Sequence, residues 1–386
     1  MSTLIALFVG IAISFSSVYV FASGHPQPAD FVFMAVVALV ALRTIALNQR
    51  IALHNFPSAW IALTGWIIFV CIGWSLILQS FEFLLHAAFW IFNFSVGASI
   101  VYYLLSTTRA QTVVIRALCF ALLISGIGVA IDLGSGIRVT GFLNNPNQLS
   151  YYSLCAMGSL LILYRFRIPP GILPLLSLSS GIGGVLAGAS LAGMGGLVAL
   201  VTAYMVANLT SARHLGRLFV VGACIAGAVT LFEIGSGGYL WDNIQARLDR
   251  SEHKVADWYE ERRYDRVVAF PEYWFLGAGE GHYWRFYPHD RGEIHSSLGN
   301  LLFAYGAPGL TLFLMVLFQV LRRAPASVWL AMSAPLIYSL THMGLRSTMF
   351  WLMVASVWYV YGVSQECPKA SRSSPLRGAV GSRGQA

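Results

Sequence analysis

Charge is scarce in this sequence of 386 residues, and lysine is almost missing from it. Charged residues make up 10% of the chain, and only two of its 24 basic residues are lysines, Lys254 and Lys369. A soluble domain carries about a quarter charged residues, so this chain lacks the means to build a water-facing shell. Hydrophobic residues reach 57% and the mean hydropathy is +0.68. The length alone would suggest two or three soluble domains, and the composition excludes them. Cysteine is sparse as well. Cys71, Cys119, Cys155 and Cys224 lie in apolar runs and Cys367 lies in the polar C-terminal stretch. None lies in the one large polar segment, so no structural disulfide is expected. Nor is there a basic face. The net charge of +8 comes from arginines paired at the ends of apolar runs, which excludes a nucleic-acid partner and points to orientation in a lipid bilayer.

What is present is a series of apolar segments. A helix needs about 20 apolar residues to cross the hydrocarbon, and twelve segments qualify. They are roughly 3–22, 29–47, 59–79, 83–105, 113–131, 148–164, 168–187, 190–208, 218–234, 298–321, 326–342 and 345–363. The first has neither a basic leader nor a small-residue cleavage site, so it reads as a retained span. With the N-terminus in the cytoplasm, alternate connections carry Arg43 and Arg50, Arg109 and Arg116, Arg165 and Arg167, Arg213 and Arg217, and Arg322 and Arg323. The tail adds Lys369, Arg372, Arg377 and Arg383, whereas the connections at Pro26–Asp30, Gln79–Glu82 and Gly188–Ala189 carry no basic residue. Every short loop therefore fits one orientation, except that Arg138 and Arg346 sit in short extracytoplasmic connections against the bias. The expected architecture is an all-α polytopic membrane protein of about twelve transmembrane helices. It forms one transmembrane domain over 1–363, with a large, partly helical extracytoplasmic loop at 235–297 and a disordered cytoplasmic tail at 364–386.

The loop holds eleven acidic residues against eight basic ones, so any anion site within it must be local. Trp241, Ile244 and Leu248 recur at helical spacing, as do Val255, Trp258 and Tyr259 with Val267 and Phe270, until Pro271 stops the run. Trp241, Trp258, Trp274 and Trp284 suggest a segment lying at the membrane interface. On a continuous helix Arg262 and Arg266 share a face, with Arg263 beside them. Such forked donors suit a diphosphate. The alternative is that they pair with Glu260, Glu261 and Asp265 on a solvated helix, for about 0.3–0.5 kcal/mol per pair.

Three further stretches carry candidate chemistry. In FLGAGEGHYW the glycines Gly277, Gly279 and Gly281 make a turn whose N–H groups can approach an anion, though no nucleotide-binding pattern surrounds them. In EIHSSLGNLLFAYGAPG, His295 stands where the loop meets the membrane, a suitable place for a base that titrates near neutral pH. His282 and His289 lie nearby without metal-ligand spacing, so no metal is expected. In RVTGFLNNPNQLS, Asn145-Pro146 breaks the chain, Asn147 caps the next helix, and the polar run implies a cavity at the membrane edge beside Arg138.

In order and spacing these motifs resemble the O-antigen ligase and polymerase superfamily, which includes Wzy-type polysaccharide polymerases and lipopolysaccharide ligases. The resemblance runs over roughly Arg138 to Phe313. It implies a metal-independent, cofactor-free glycosyltransferase of the C type in a bacterial inner membrane, with the loop periplasmic. The implied donor is a glycan on undecaprenyl diphosphate, and a chain-length regulator and export proteins are the implied partners. By the same resemblance Arg138, Arg262 or Arg263, Arg266 and, as a substitute, Arg346 hold the diphosphate. His295 orients or deprotonates the acceptor hydroxyl, and Asn145, Asn147, Gly279, Glu280 and His289 line the substrate cleft. Two departures stand out: Ser190 is not followed by the arginine usual there, and Ser296 replaces an asparagine after His295.

Three functions follow as alternatives: a polymerase joining repeat units of O-antigen or exopolysaccharide, a ligase moving finished glycan to lipid A–core, and a twelve-span transporter or lipid flippase. A transporter calls for repeated halves and ionisable residues at mid-membrane. No half-repeat is visible, interior charges are few, and the polar residues concentrate in one loop.

Overall fold

A computed structural model of the chain describes residues 1–22, 24–47, 56–132, 138–210 and 259–363, with short stretches between 216 and 249. Most of the ninth expected span, the loop positions Ile244, Leu248, Val255 and Trp258, and the tail at 364–386 lie outside the described residues. Every regular element among the described residues is a helix. The helices are α1 (Ser2–Ser14), α2 (Pro28–Ala46), α3 (Ser58–Leu78), α4 (Glu82–Ser106), α5 (Ala110–Asp132), α6 (Pro146–Leu163), α7 (Ile172–Ala187) and α8 (Leu191–Asn208). In the loop follow α9 (Tyr264–Ala269), α10 (Tyr273–Leu276) and a 3-10 turn (Tyr283–Phe286). The chain returns through α11 (Ser297–Leu321), α12 (Ala326–Ser339) and α13 (Thr348–Val357), which runs on into a π-helical turn (Trp358–Val363).

Six of these, α2, α3, α4, α5, α8 and α11, are long and apolar enough to cross a membrane, and α1, α7, α12 and α13 are shorter apolar helices. Their lipid-type surface is visible as exposed Phe69, Leu76 and Ile77 on α3 and Leu314, Met315 and Phe318 on α11. The chain is an all-helical membrane protein.

The first helix is shorter than its apolar run. It stops at Ser14, where the Ser16 hydroxyl donates to the Ile13 carbonyl and Tyr19 N–H turns away to Phe142 O. Serine hydroxyls that compete for backbone groups account for the early end. The bundle closes around α6, whose residues from Leu149 to Leu163 are all buried. Its Ser, Gly, Ala and Cys residues let neighbours approach closely, as small residues do between membrane helices. A side chain on Gly158 would strike Met353, and one on Gly188 would strike Ser150 and the Pro146 carbonyl. At the N-terminus of α6 the cap is Asn145 rather than Asn147. Asn145 is extended ahead of Pro146, and its side chain accepts from Asn147 N–H at 2.8 Å. That leaves the Asn147 side chain for another partner.

The expected continuous loop helix is also corrected. Arg263 takes a left-handed conformation (φ 64), so the backbone turns at Arg262–Arg263 before α9 begins. Arg262 and Arg266 therefore do not share a helical face.

Candidate functional site

The last turn of α12 and the connection after it gather polar side chains from three distant parts of the chain. Tyr338 is buried, and its hydroxyl donates to the Asn147 carbonyl at 2.7 Å. Arg138 reaches the same residue from the other side. Its Nη2 lies 2.7 Å from Asn147 Oδ1 and 2.6 Å from the Gly188 carbonyl, which Nε also reaches at 3.1 Å. From the loop, Arg262 Nη1 donates to the Thr341 carbonyl. Arg138 and Tyr338 thus meet on Asn147, and Arg262 holds the backbone three residues past Tyr338. The His342 ring stacks on Tyr338 at 4.5 Å, with Nδ1 2.9 Å from Thr341 Oγ1.

His295 joins this group through the backbone, since its N–H donates to the Arg262 carbonyl at 3.2 Å. Its side chain is exposed, yet neighbouring protein atoms desolvate it and lower its pKa. Glu293 opposes that shift, and Arg263 and Arg262 add to it. The ring is then neutral at neutral pH and able to accept a proton. Ser296 is the N-cap of α11. Its hydroxyl accepts from Gly299 N–H at 3.2 Å and from the Tyr264 hydroxyl at 2.7 Å. Ser297 Oγ donates to the His342 carbonyl at 3.0 Å and accepts from Gly344 N–H at 2.8 Å, which ties the loop exit to the α12–α13 connection.

A second cluster surrounds Glu280, which is 1% exposed. Arg346 Nη2 lies 3.2 Å from Glu280 Oε1, and Nη1 lies 2.9 Å from Glu293 Oε2. His86 of α4 stands 3.2 Å from the other Glu280 oxygen, and the Asn300 amide of α11 donates to Oε1. Burial raises the Glu280 pKa, but Arg346, His86 and Asn300 outweigh it and hold the carboxyl well below the usual carboxylate range. Burial pulls on Arg346 too, and the two carboxylates prevail and raise its pKa. Arg346, expected as a phosphate ligand, is thus held between two acids.

The loop interior takes up the remaining candidates. Arg266 is fully buried, with Nε donating to the His289 carbonyl at 2.6 Å and its guanidinium over the Tyr283 and Phe286 rings. His289 Nδ1 is 2.5 Å from Asp265, so the carboxylate expected to balance the arginines binds a histidine instead. Arg263 and Asn145 do not join the group around Tyr338: Arg263 sits at the turn and Asn145 at its cap. Gly279 is buried with its N–H on Ala304 O, and Ala278 N–H donates to Phe303 O. These N–H groups therefore serve helix packing rather than an anion.

Sequence reading missed Tyr338, Thr341, His342, Tyr264, His86 and Glu293. The run LIYSLTHMGLRS carries the same signal used for the asparagine run, polar side chains at a membrane edge, and His86 is an ionisable residue inside an apolar segment. Among the described residues no three His, Cys, Asp or Glu side chains form a metal-binding group. No known family model matches the chain, and no curated protein is significantly similar to it.

Proposed function

We propose that the chain is a polytopic glycosyltransferase of a bacterial inner membrane that polymerises glycan repeat units carried on undecaprenyl diphosphate. In this reading about twelve spans place both termini in the cytoplasm, the loop faces the periplasm, and the C-type family resemblance holds. The observation that carries it is that Arg138 and Tyr338 meet on Asn147, that Arg262 reaches the Thr341 carbonyl three residues past Tyr338, and that the His295 backbone joins Arg262.

The chemistry fits the residue types. A diphosphate is already a good leaving group, so fixed positive charge does most of the work as the bond from anomeric carbon to phosphate oxygen breaks. Arg138 and Arg262 neutralise the charge that develops on the departing diphosphate. The bond from the acceptor oxygen to the anomeric carbon forms, and the hydroxyl proton passes to the neutral His295 ring. Arg346 is left out of this set because two carboxylates already hold it, and Arg266 because it is buried among the loop's aromatic rings.

The test is the glycan made by cells carrying His295→Ala or Arg262→Ala protein at normal abundance. Loss of both polymer length and surface polymer supports a polymerase. Normal length without attachment to lipid A–core moves the assignment to a ligase, and unchanged glycan removes the transferase reading. A reporter fused after Asp257 should report a periplasmic position.

A further inference from the structure

Helix α11 is broken inside its apolar run. Pro308 supplies no N–H, and Gly306 is non-helical at φ 69, ψ −177. The carbonyls of Phe303, Ala304 and Tyr305 would be left without helical partners, which in hydrocarbon costs several kcal/mol each on an approximate scale. All three are satisfied from outside the helix. Ala278 N–H donates to Phe303 O at 2.8 Å and Gly279 N–H to Ala304 O at 2.7 Å. Trp66 Nε1 of α3 donates to Tyr305 O at 2.7 Å. The loop backbone can lie this close only because Cβ atoms are missing. A side chain on Gly277 would strike Ala304 and Tyr305, and one on Gly306 would strike the Phe275 carbonyl. Trp74 Nε1 of α3 then fixes the Gly277 carbonyl at 2.9 Å.

These contacts set a depth. Gly306 lies nine residues past Ser297, about 13 Å along the axis at 1.5 Å per residue. At that level α10 has no buried residue, and Trp274, Phe275 and Leu276 are 43%, 72% and 56% exposed. A water-facing loop has no reason to present three such side chains in a row. The flanking α3 is exposed through Phe69, Ile72, Leu76 and Ile77, an apolar surface of the same kind.

We propose that Pro271–Gly279 is a re-entrant tip that enters the hydrocarbon, with Phe275 and Leu276 in contact with the acyl chains of the surrounding lipid. Irregular backbone is tolerated at such depth where protein satisfies it, as the α11 carbonyls and Trp74 do here. Glu272, exposed at the head of α10, marks the headgroup level. The proposal needs only a bilayer and is independent of the glycosyl-transfer reading.

A photoreactive benzophenone amino acid at 275 or 276, in full-length protein in phospholipid vesicles, tests it. Arg291, exposed elsewhere in the loop, is the control position. Mass spectrometry should find adducts on acyl chains from 275 and 276, and no lipid adduct from 291. Adducts on headgroups alone would lower the tip to an interfacial position and overturn the proposal. Cross-links to a second copy of the chain, or no lipid adduct from either probe, would also overturn it. Both positions are exposed, so one probe suffices should the other reduce expression.

Discussion

Two arginine clusters stand at the loop side of the helical bundle, and they use the same side chain in opposite ways. Around Tyr338, Arg262 reaches a backbone carbonyl, and Arg138 reaches the Gly188 carbonyl and an amide oxygen. Around Glu280, Arg346 lies between two carboxylates, Asn300 donates to the Glu280 oxygen that Arg346 also contacts, and His86 stands beside the other one. A carbonyl fixes the orientation of a guanidinium fork without cancelling its charge, whereas a pair of carboxylates does both. Arg262, so held, suits arrival of an anion. The Glu280 cluster suits a clamp, since Glu280 and Glu293 belong to the loop, His86 to α4 and Arg346 to the α12–α13 connection.

The largest effect that bears on this contrast is expected from Glu280→Ala. It strands the Arg346 guanidinium, whose side chain is 26% exposed, beside one partly exposed acid, at a cost below the ~3–5 kcal/mol typical of breaking a fully buried pair. The melting temperature should fall sharply in detergent or vesicles, and replacing Glu280 and Arg346 together should recover much of the loss. The pH dependence has a definite sign. A carboxyl held below its ordinary pKa stabilises fully above that value, about 4.3 for Glu, and the contribution is lost as pH falls below it. A melting temperature of Glu280→Ala close to wild type would remove the clamp. Arg262→Ala comes next. Removing one group that stabilises developing charge costs roughly 10²–10³ in rate, here with little change in melting temperature. A melting loss as deep as that of Glu280→Ala would erase the distinction between the clusters.

Smaller, and specific to the cleft, is the pH profile. With His295 acting as base and its pKa lowered, transfer should rise with pH and reach half its maximum below about 6.5, the ordinary histidine value. His295→Asn should abolish that limb. A profile unchanged in the variant would assign the proton to another group, with His342, stacked on Tyr338, the next to be replaced.

Much of this fold is legible in the sequence, because an apolar run is a local signal. The long helices from α2 to α5 and the return of the chain in α11 follow the runs read there. The candidate site was legible in part. Arg138 does meet Asn147, and His295 meets Arg262 through the backbone, since polar residues at a membrane edge must find partners. Periodicity could not show that Arg263 turns the chain, because left-handed backbone at a non-glycine residue leaves no pattern. Nor could it show that Glu280 claims Arg346, which lies far along the chain and meets it only after α11 and α12 have packed. The glycines at 277 and 279 were visible, but their use lay in the broken carbonyls of α11. That pairing depends on the Gly306 conformation rather than on the glycine spacing.

The smallest change separates touching the substrate from holding the residues that do. Tyr338→Phe keeps the ring that stacks on His342 and packs at a tilt against Tyr151, and removes only the hydroxyl. The lost bond runs to the Asn147 carbonyl. An oxygen with two lone pairs in a first helical turn tolerates the loss, so about 0.5–1.5 kcal/mol of stability is at stake. Arg138 keeps both the Asn147 side chain and the Gly188 carbonyl, so its charge stays in place. Transfer should therefore fall less than about tenfold, the equivalent of 1.4 kcal/mol, expressed mainly as a higher KM. A loss in kcat as large as that of Arg262→Ala would put the Tyr338 hydroxyl itself on the reacting groups. The cleft would then extend inward from the two arginines to the buried end of α12.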